Sequence, residues 1–167
     1  MKHIILVGMM GAGKTTVGRI ISYTTGRNFI DIDQRIEKQT GMSIFEIITK
    51  QGEDYFRRIE KDIVLSLSPN LPSVVSTGGG AIMDNETFYF LKSIGKVVYL
   101  KVSPAVLFKR TANTETRPLL KEGNRLHNLQ DLLSKREPRY LEADVVIESD
   151  DSTPNEVADK IIKRLKL

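Results

Sequence analysis

The chain has 167 residues, of which 40% are hydrophobic and 28% charged, an ordinary balance for one globular domain with a sizeable core. Cysteine is absent and His3 and His127 are the two histidines, which excludes disulfides, thiol nucleophiles and Cys-zinc sites and argues against a histidine-rich metal centre. The formal net charge of +4 suits nucleic acid or small anionic ligands, and no apolar run is long enough to cross a membrane.

Met1-Lys2-His3 leads directly into an apolar strand, about His3–Val7, so the expectation is a cytoplasmic chain without a signal or transit peptide. A helix of about Lys14–Thr24 and a strand Asn28–Asp31 follow. Ser43-x-x-Glu46 is a capping box that opens a short helix. Asp54 to Leu67 reads as a longer helix with Phe56, Ile59, Ile63 and Leu67 on one side. Ser73–Ser76 is a strand that runs into Thr77-Gly78-Gly79-Gly80, and Asp84 caps a helix reaching Lys92. Lys96–Val102 is a strand, and Ser103-Pro104 opens a helix to about Thr111. Ala112 to His127 has no clear period, the mark of a functional or mobile connection. Asn128 is expected to cap a helix to about Tyr140, followed by a strand Asp144–Glu148. Thr153-Pro154-x-Glu156 opens a terminal helix with Val157, Ile161, Ile162 and Leu165 buried. Strands and helices alternate throughout, which predicts an α/β fold with a parallel sheet.

Residues 8–15, Gly-Met-Met-Gly-Ala-Gly-Lys-Thr, match G-x-x-x-x-G-K-[ST] between a strand and a helix. Gly8, Gly11 and Gly13 allow a tight turn whose N–H groups face phosphate oxygens, and the helix N-terminus adds partial positive charge. Gly11, Ala12, Gly13, Lys14, Thr15 and Thr16 are therefore the candidate nucleotide-binding run. Lys14 reaches the β- and γ-phosphates, and the Thr15 hydroxyl is placed to hold Mg²⁺.

Asp31-Ile32-Asp33 ends the second strand, where alternation would project both carboxylates into the ligand crevice. One can support Mg²⁺, directly or through water, and the other can take the proton of a substrate hydroxyl. As structure alone, Asp33 would cap the following helix. The third strand ends in Ser76-Thr77 rather than an acid, which turns the metal role toward Asp31. Arg57 and Glu60 stand three apart on a helix, either as a surface pair or as a carboxylate-binding fork oriented by its neighbour. Gly78, Gly79 and Gly80 form either a tight turn or a backbone shelf beneath a substrate ring. Arg117 lies in the patternless stretch, where it is an ordinary loop residue or a lid cation that closes over the transferring phosphate. Arg136 offers a second anion ligand or a charge at a helix C-terminus, and Arg110 a flat face for adenine or plain surface charge. These arginines are dispersed, Trp is absent and no basic block is interleaved with aromatics, so phosphate and carboxylate ligands are expected rather than nucleic acid.

Asp31-Ile32-Asp33, Phe56-Arg57-Arg58-Ile59-Glu60, Thr77-Gly78-Gly79-Gly80, Arg117-Pro118-Leu119-Leu120 and Arg136-x-Pro-x-Tyr140, in this order behind the phosphate loop, resemble the shikimate kinase family over essentially the whole chain. The resemblance implies a P-loop NTPase fold of the nucleoside-monophosphate-kinase type, a five-stranded parallel sheet flanked by helices with a lid. It implies ATP- and Mg²⁺-dependent phosphorylation of the 3-hydroxyl of shikimate in aromatic amino acid biosynthesis. On the matching positions, Asp33, Arg57, Gly79 with its neighbouring glycines, and Arg136 become shikimate ligands, and Asp33 also the base or hydroxyl orienter. Thr15 and Asp31 become the Mg²⁺ support, Lys14 and Arg117 the phosphate-facing cations, and Arg110 and Pro154 the adenine neighbourhood. The implied organisation is one kinase domain, residues 1–167, with substrate-binding helices at about 33–61 and a lid at about 112–127. A monomer without nucleic-acid or membrane partners is expected. The alternatives are a kinase for gluconate or a nucleoside monophosphate, and a silent nucleotide-binding module.

Overall fold

All five residues of β1 (His3–Val7) are buried, as a strand covered on both faces requires. The computed structural model describes residues 2–111 and 124–167. After β1 come α1 (Lys14–Thr25), β2 (Asn28–Asp31), α2 (Ile32–Thr40), α3 (Ile44–Gln51), α4 (Glu53–Leu65) and β3 (Ser73–Ser76). A 3-10 turn (Ala81–Met83), α5 (Asn85–Ile94), β4 (Gly95–Lys101), α6 (Pro104–Thr111), α7 (Arg125–Tyr140), β5 (Val145–Glu148) and α8 (Pro154–Leu165) complete the order. The strands pair in parallel as β2-β3-β1-β4-β5. Both neighbours of β1 thus come from later in the chain, and the segments leaving β1, β2 and β3 share one crevice at the carboxyl edge of the sheet.

The core lies on both faces of this sheet. Val17 and Ile21 of α1, Ile63 and Val64 of α4, Phe88 and Leu91 of α5, and Val157 and Ile161 of α8 pack with the apolar strands. Each such side chain, fully buried, contributes about 1.5–3 kcal/mol. Capping boxes close both Ser43–Glu46 and Thr153–Glu156, with Pro154 in the first turn of α8.

Three local expectations change. Asp33 does not continue β2: it sits in the first turn of α2, and Asp31 is the cap, its Oδ1 accepting from the Gln34 N–H at 3.3 Å. Two aspartates two apart can each cap, and the strand ends at the first of them. Asn124, not Asn128, caps α7, its side chain accepting from the His127 N–H, while the Asn128 N–H donates to the Asn124 carbonyl inside the helix. The helix beginning near residue 54 covers Glu53–Leu65, and Leu67, beyond its end, remains in the core. Residues 124–127 of the expected lid segment are thus the cap and first turn of α7, and Arg117 with the rest of that segment lies outside the described residues.

Candidate active site

A cavity of about 920 Å³ opens at the carboxyl edge of the sheet. On one side it is lined by the phosphate loop, from Met10 through Thr16. Gly13 adopts φ 94° as the N-cap of α1, a left-handed turn that leaves the first N–H groups of the helix pointing outward. Lys14 is folded back over the loop, its Nζ donating to the Gly8 carbonyl at 2.9 Å and the Met9 carbonyl at 3.0 Å. The Thr15 hydroxyl donates to Asp31 Oδ2 at 2.7 Å and stands 3.5 Å from the Ser76 hydroxyl. The first turn of α1 and the carboxyl ends of β2 and β3 thus bring three hard oxygen donors together. One carboxylate and two hydroxyls suit Mg²⁺, which keeps much of its water shell and takes further oxygens from phosphate. Among the described residues no group of three His, Asp or Glu side chains gathers to hold a metal without such help.

The other side is built from α2, α4, α7 and the glycine segment. Asp33 faces the cavity from α2. Burial raises its carboxyl above the ordinary 3.8, against the pull of Lys14. Arg57 of α4 donates to Glu60 Oε2 at 2.7 Å and to Glu53 Oε1 at 3.0 Å. Burial acts downward on its guanidinium, and the two carboxylates outweigh it, so Arg57 is held above its usual range. Glu60 is only 2% exposed, and burial raises its carboxyl above 4.5 despite Arg57. Asp33 Oδ1 and Glu60 Oε1 are both buried without a hydrogen-bond partner among the described residues.

Side-chain volume explains two of the three glycines. A Cβ on Gly78 would lie 2.1 Å from Glu60 Oε1 and 3.1 Å from Asp33 Oδ1, so both carboxyl groups converge on this position. A Cβ on Gly80 would lie 2.6 Å from the central carbon and both terminal nitrogens of the Arg57 guanidinium, which therefore lies flat against the backbone. Backbone conformation does not demand these glycines, since none of the three has a positive φ. The shelf expected beneath a ligand is thus first a bed for Glu60 and Arg57, and Gly78, Gly79 and Gly80 still line the cavity. Arg136 of α7 is 7% exposed, and its Nη1 would stand 3.3 Å from a Cβ on Gly79. Arg57, Arg136, Asp33 and the glycines therefore face one space with the phosphate loop.

Arg110 and Pro154 line the far end of the same cavity with Ser149 and Ser152. Arg110 is exposed at the end of α6, and its Nη2 reaches the Ser149 carbonyl at 3.4 Å. Of the candidate site residues, Arg117 alone falls outside the described residues.

The model of the shikimate kinase family matches residues 10–166. A shikimate kinase of Thermodesulfovibrio yellowstonii is 44% identical over 98% of this chain and 94% of its own. One of Caldanaerobacter subterraneus is 41% identical over 98% of this chain and 95% of its own. The crystallised shikimate kinase of Acinetobacter baumannii in complex with shikimate superposes with a TM-score of 0.95 at 40% identity, covering 99% of this chain and 93% of that one. The chain belongs to the shikimate kinase family.

The structure also brings to the cavity and its walls groups that single residues of the sequence do not announce. Ser76 was notable for not being an acid, yet its hydroxyl joins Thr15 and Asp31. Glu37, Ile44, Phe45 and Phe56 line the same cavity, brought there by the packing of α2, α3 and α4 against one another. Tyr140, four residues after Arg136, donates its hydroxyl to the Gly79 carbonyl. The Arg-x-Pro-x-Tyr spacing placed both on one helix face and was the available signal.

Proposed function

We propose that this enzyme transfers the γ-phosphate of ATP to the 3-hydroxyl of shikimate. The observation that carries the reading is one cavity with a phosphate loop at one end and a carboxylate seat made by Arg57, Arg136 and the glycine backbone at the other. Two guanidinium groups suit a carboxylate, and Asp33 lies between them and the loop side as a hydroxyl acceptor. Holding both ends of a cyclic hydroxy acid aims one oxygen at the terminal phosphate, and such positioning supplies much of the rate. Asp33 takes the hydroxyl proton as the oxygen attacks, and its raised basicity suits that task. Lys14 is released from the Gly8 and Met9 carbonyls to the phosphates when nucleotide enters, and the main-chain N–H groups of Gly11–Thr16 take the remaining phosphate oxygens. Arg117 serves as the lid cation, and Arg110 and Pro154 border the adenine.

Thr15 and Asp31, with Ser76 beside them, are the residues that would hold Mg²⁺. When bound, the ion neutralises charge on the β- and γ-phosphates. The rest of the proposal is one kinase domain over residues 1–167, with acceptor helices at about 33–61 and a lid within about 112–127, working as a cytoplasmic monomer. No described helix is long and apolar enough to cross a membrane.

A coupled assay of ADP release with ATP against shikimate, gluconate and a nucleoside monophosphate tests the reading. Shikimate is expected to be the one acceptor turned over above background. Comparable turnover of either competitor, or none with shikimate, overturns it.

A further inference from the structure

Tyr140 closes α7 one helical turn beyond Arg136 and is 0% exposed. It lines neither the main cavity nor the smaller one of about 510 Å³ behind Arg57. Its ring stacks on Tyr99 of β4, with centroids 4.9 Å apart and planes 27° apart. The stack fixes where the hydroxyl goes. It donates to the carbonyl of Gly79, lies 3.7 Å from the Met9 sulfur in the phosphate loop and stands beside the Arg136 guanidinium. Burial pushes the Tyr140 phenol up to about 12, so it remains a donor at any working pH.

The planarity of the peptide turns this bond into a constraint on the site. The Gly79 carbonyl and the Gly80 N–H belong to one trans peptide unit and point in opposite directions. Tyr140 holds the carbonyl on the core side, so the N–H is turned to the cavity side. Among the described residues, that N–H donates to no protein acceptor. It opens between Arg57, whose guanidinium lies against Gly80, and Arg136, whose Nη1 lies against Gly79.

We propose that Tyr140 is a positioning residue for acceptor binding: its grip on the Gly79 carbonyl aims the Gly80 N–H, alongside Arg57 and Arg136, at the carboxylate of the acceptor. The inference rests on the carboxylate seat proposed above. It also explains why the aromatic residue and Arg136 share one helix: the turn that carries the arginine also sets the peptide the arginine works beside.

Tyr140→Phe keeps the ring stack and removes the hydroxyl. The KM for shikimate is expected to rise about five- to tenfold, the loss of one orienting hydrogen bond. The KM for ATP and kcat should stay within about twofold, an asymmetry expected when only binding common to ground and transition state is lost. Tyr99→Phe is the matched control, since its hydroxyl faces Glu137 rather than the glycine segment and its ring also stays in the stack. Its kinetics should equal those of the parent. An unchanged shikimate KM in Tyr140→Phe overturns the inference, and so does an equal rise in both KM values with a lowered Tm, which marks plain scaffolding. Arg57→Ala and Arg136→Ala separate the two levels. If they raise the shikimate KM while Tyr140→Phe does not, only the tyrosine's role fails; if they do not, the seat itself fails. Should the Phe variant not fold, the unmodified enzyme decides: the Gly80 amide resonance should shift and gain exchange protection when shikimate is added without nucleotide, and an unmoved resonance overturns the proposal.

Discussion

The two ends of the cavity are made in different ways. The phosphate end is one continuous run, Gly8 to Thr16, whose chemistry is main-chain N–H groups, one lysine and one threonine. In the structure its charge is internally satisfied, with Lys14 Nζ on two carbonyls and Thr15 on Asp31. The acceptor end is assembled from α2, α4, the glycine segment and α7, residues separated by more than a hundred positions. It holds two buried carboxyl oxygens without hydrogen-bond partners among the described residues, on Asp33 and Glu60. A contiguous, satisfied loop grips what every nucleotide has in common. A discontinuous pocket with unspent hydrogen-bonding capacity can be tailored to one acceptor, and it carries the desolvation penalty of that specificity.

The sharpest way to break the comparison is Asp33→Asn. It should lower kcat by about 10²–10⁴-fold, the range for losing a positioned base. ATP affinity, measured by calorimetry, should stay within a factor of about three, because the phosphate end binds nucleotide by itself. A near-normal rate would show that Asp33 does not meet the reacting hydroxyl. Loss of ATP binding would show that the two ends are not separable.

Next in size are Arg57→Ala and Arg136→Ala. Each should raise the shikimate KM by an amount equivalent to about 2–4 kcal/mol, since each removes one member of a buried charge assembly. Arg57→Ala should be the more disruptive to the fold, because it leaves Glu60, 2% exposed, without its ionic partner. Equal effects on Tm would argue that Glu60 is held by something other than Arg57. Gly78→Ala comes third. Its methyl would meet Glu60 Oε1 at 2.1 Å, so the carboxyl must swing and drag Arg57 with it. A shikimate KM raised about tenfold with an unchanged ATP KM is expected, in line with an overpacking penalty of about 1–3 kcal/mol. Wild-type kinetics would mean that Glu60 has room to move without disturbing the guanidinium.

The contrast between the two ends is also why one was easier to read than the other. Backbone N–H groups in a short motif need no long-range packing, so Gly8 to Thr16 announced both geometry and ligand. The strands were legible for the same local reason: Ile4–Val7 and Val74–Val75 are apolar runs bounded by turn residues. Asp33 falls on α2 rather than at the end of β2: Asp31 and Asp33 are equally good helix caps, and the end of the β2–β3 ladder at Asp31 decides between them. Asn124 and Asn128 posed the same ambiguity one turn apart. Arg57, Arg136 and the glycines could be nominated from their residue types. That Gly78 exists to admit Glu60, and that Tyr140 reaches back to Gly79, depends on α4 and α7 packing against the same loop, which no local pattern encodes.

The smallest expected effect is on stability and its pH dependence, and it isolates the orphaned carboxyls. Burial raises Glu60 and Asp33 above their ordinary values of 4.5 and 3.8. Below those values each group is protonated in the folded and unfolded chain alike, and neither penalises folding. As pH rises past 4.5 the unfolded chain releases protons that the folded carboxyls retain, so stability falls until the raised folded values are passed. Glu46 works in the opposite sense: the Ser43 N–H and hydroxyl hold it down to about 2, so its contribution is present above 4.5 and is lost as pH drops from 4.5 toward about 2. Glu60→Gln should therefore flatten the decline above pH 4.5 and leave the acid limb, set in part by Glu46, parallel to the parent. Urea unfolding from pH 3 to pH 8 reads both limbs in one series. A Gln variant that loses stability in parallel with the parent above pH 4.5 would mean that Glu60 is ionised in the folded chain throughout, its charge fully answered by Arg57. The acceptor end would then be as well satisfied as the phosphate end.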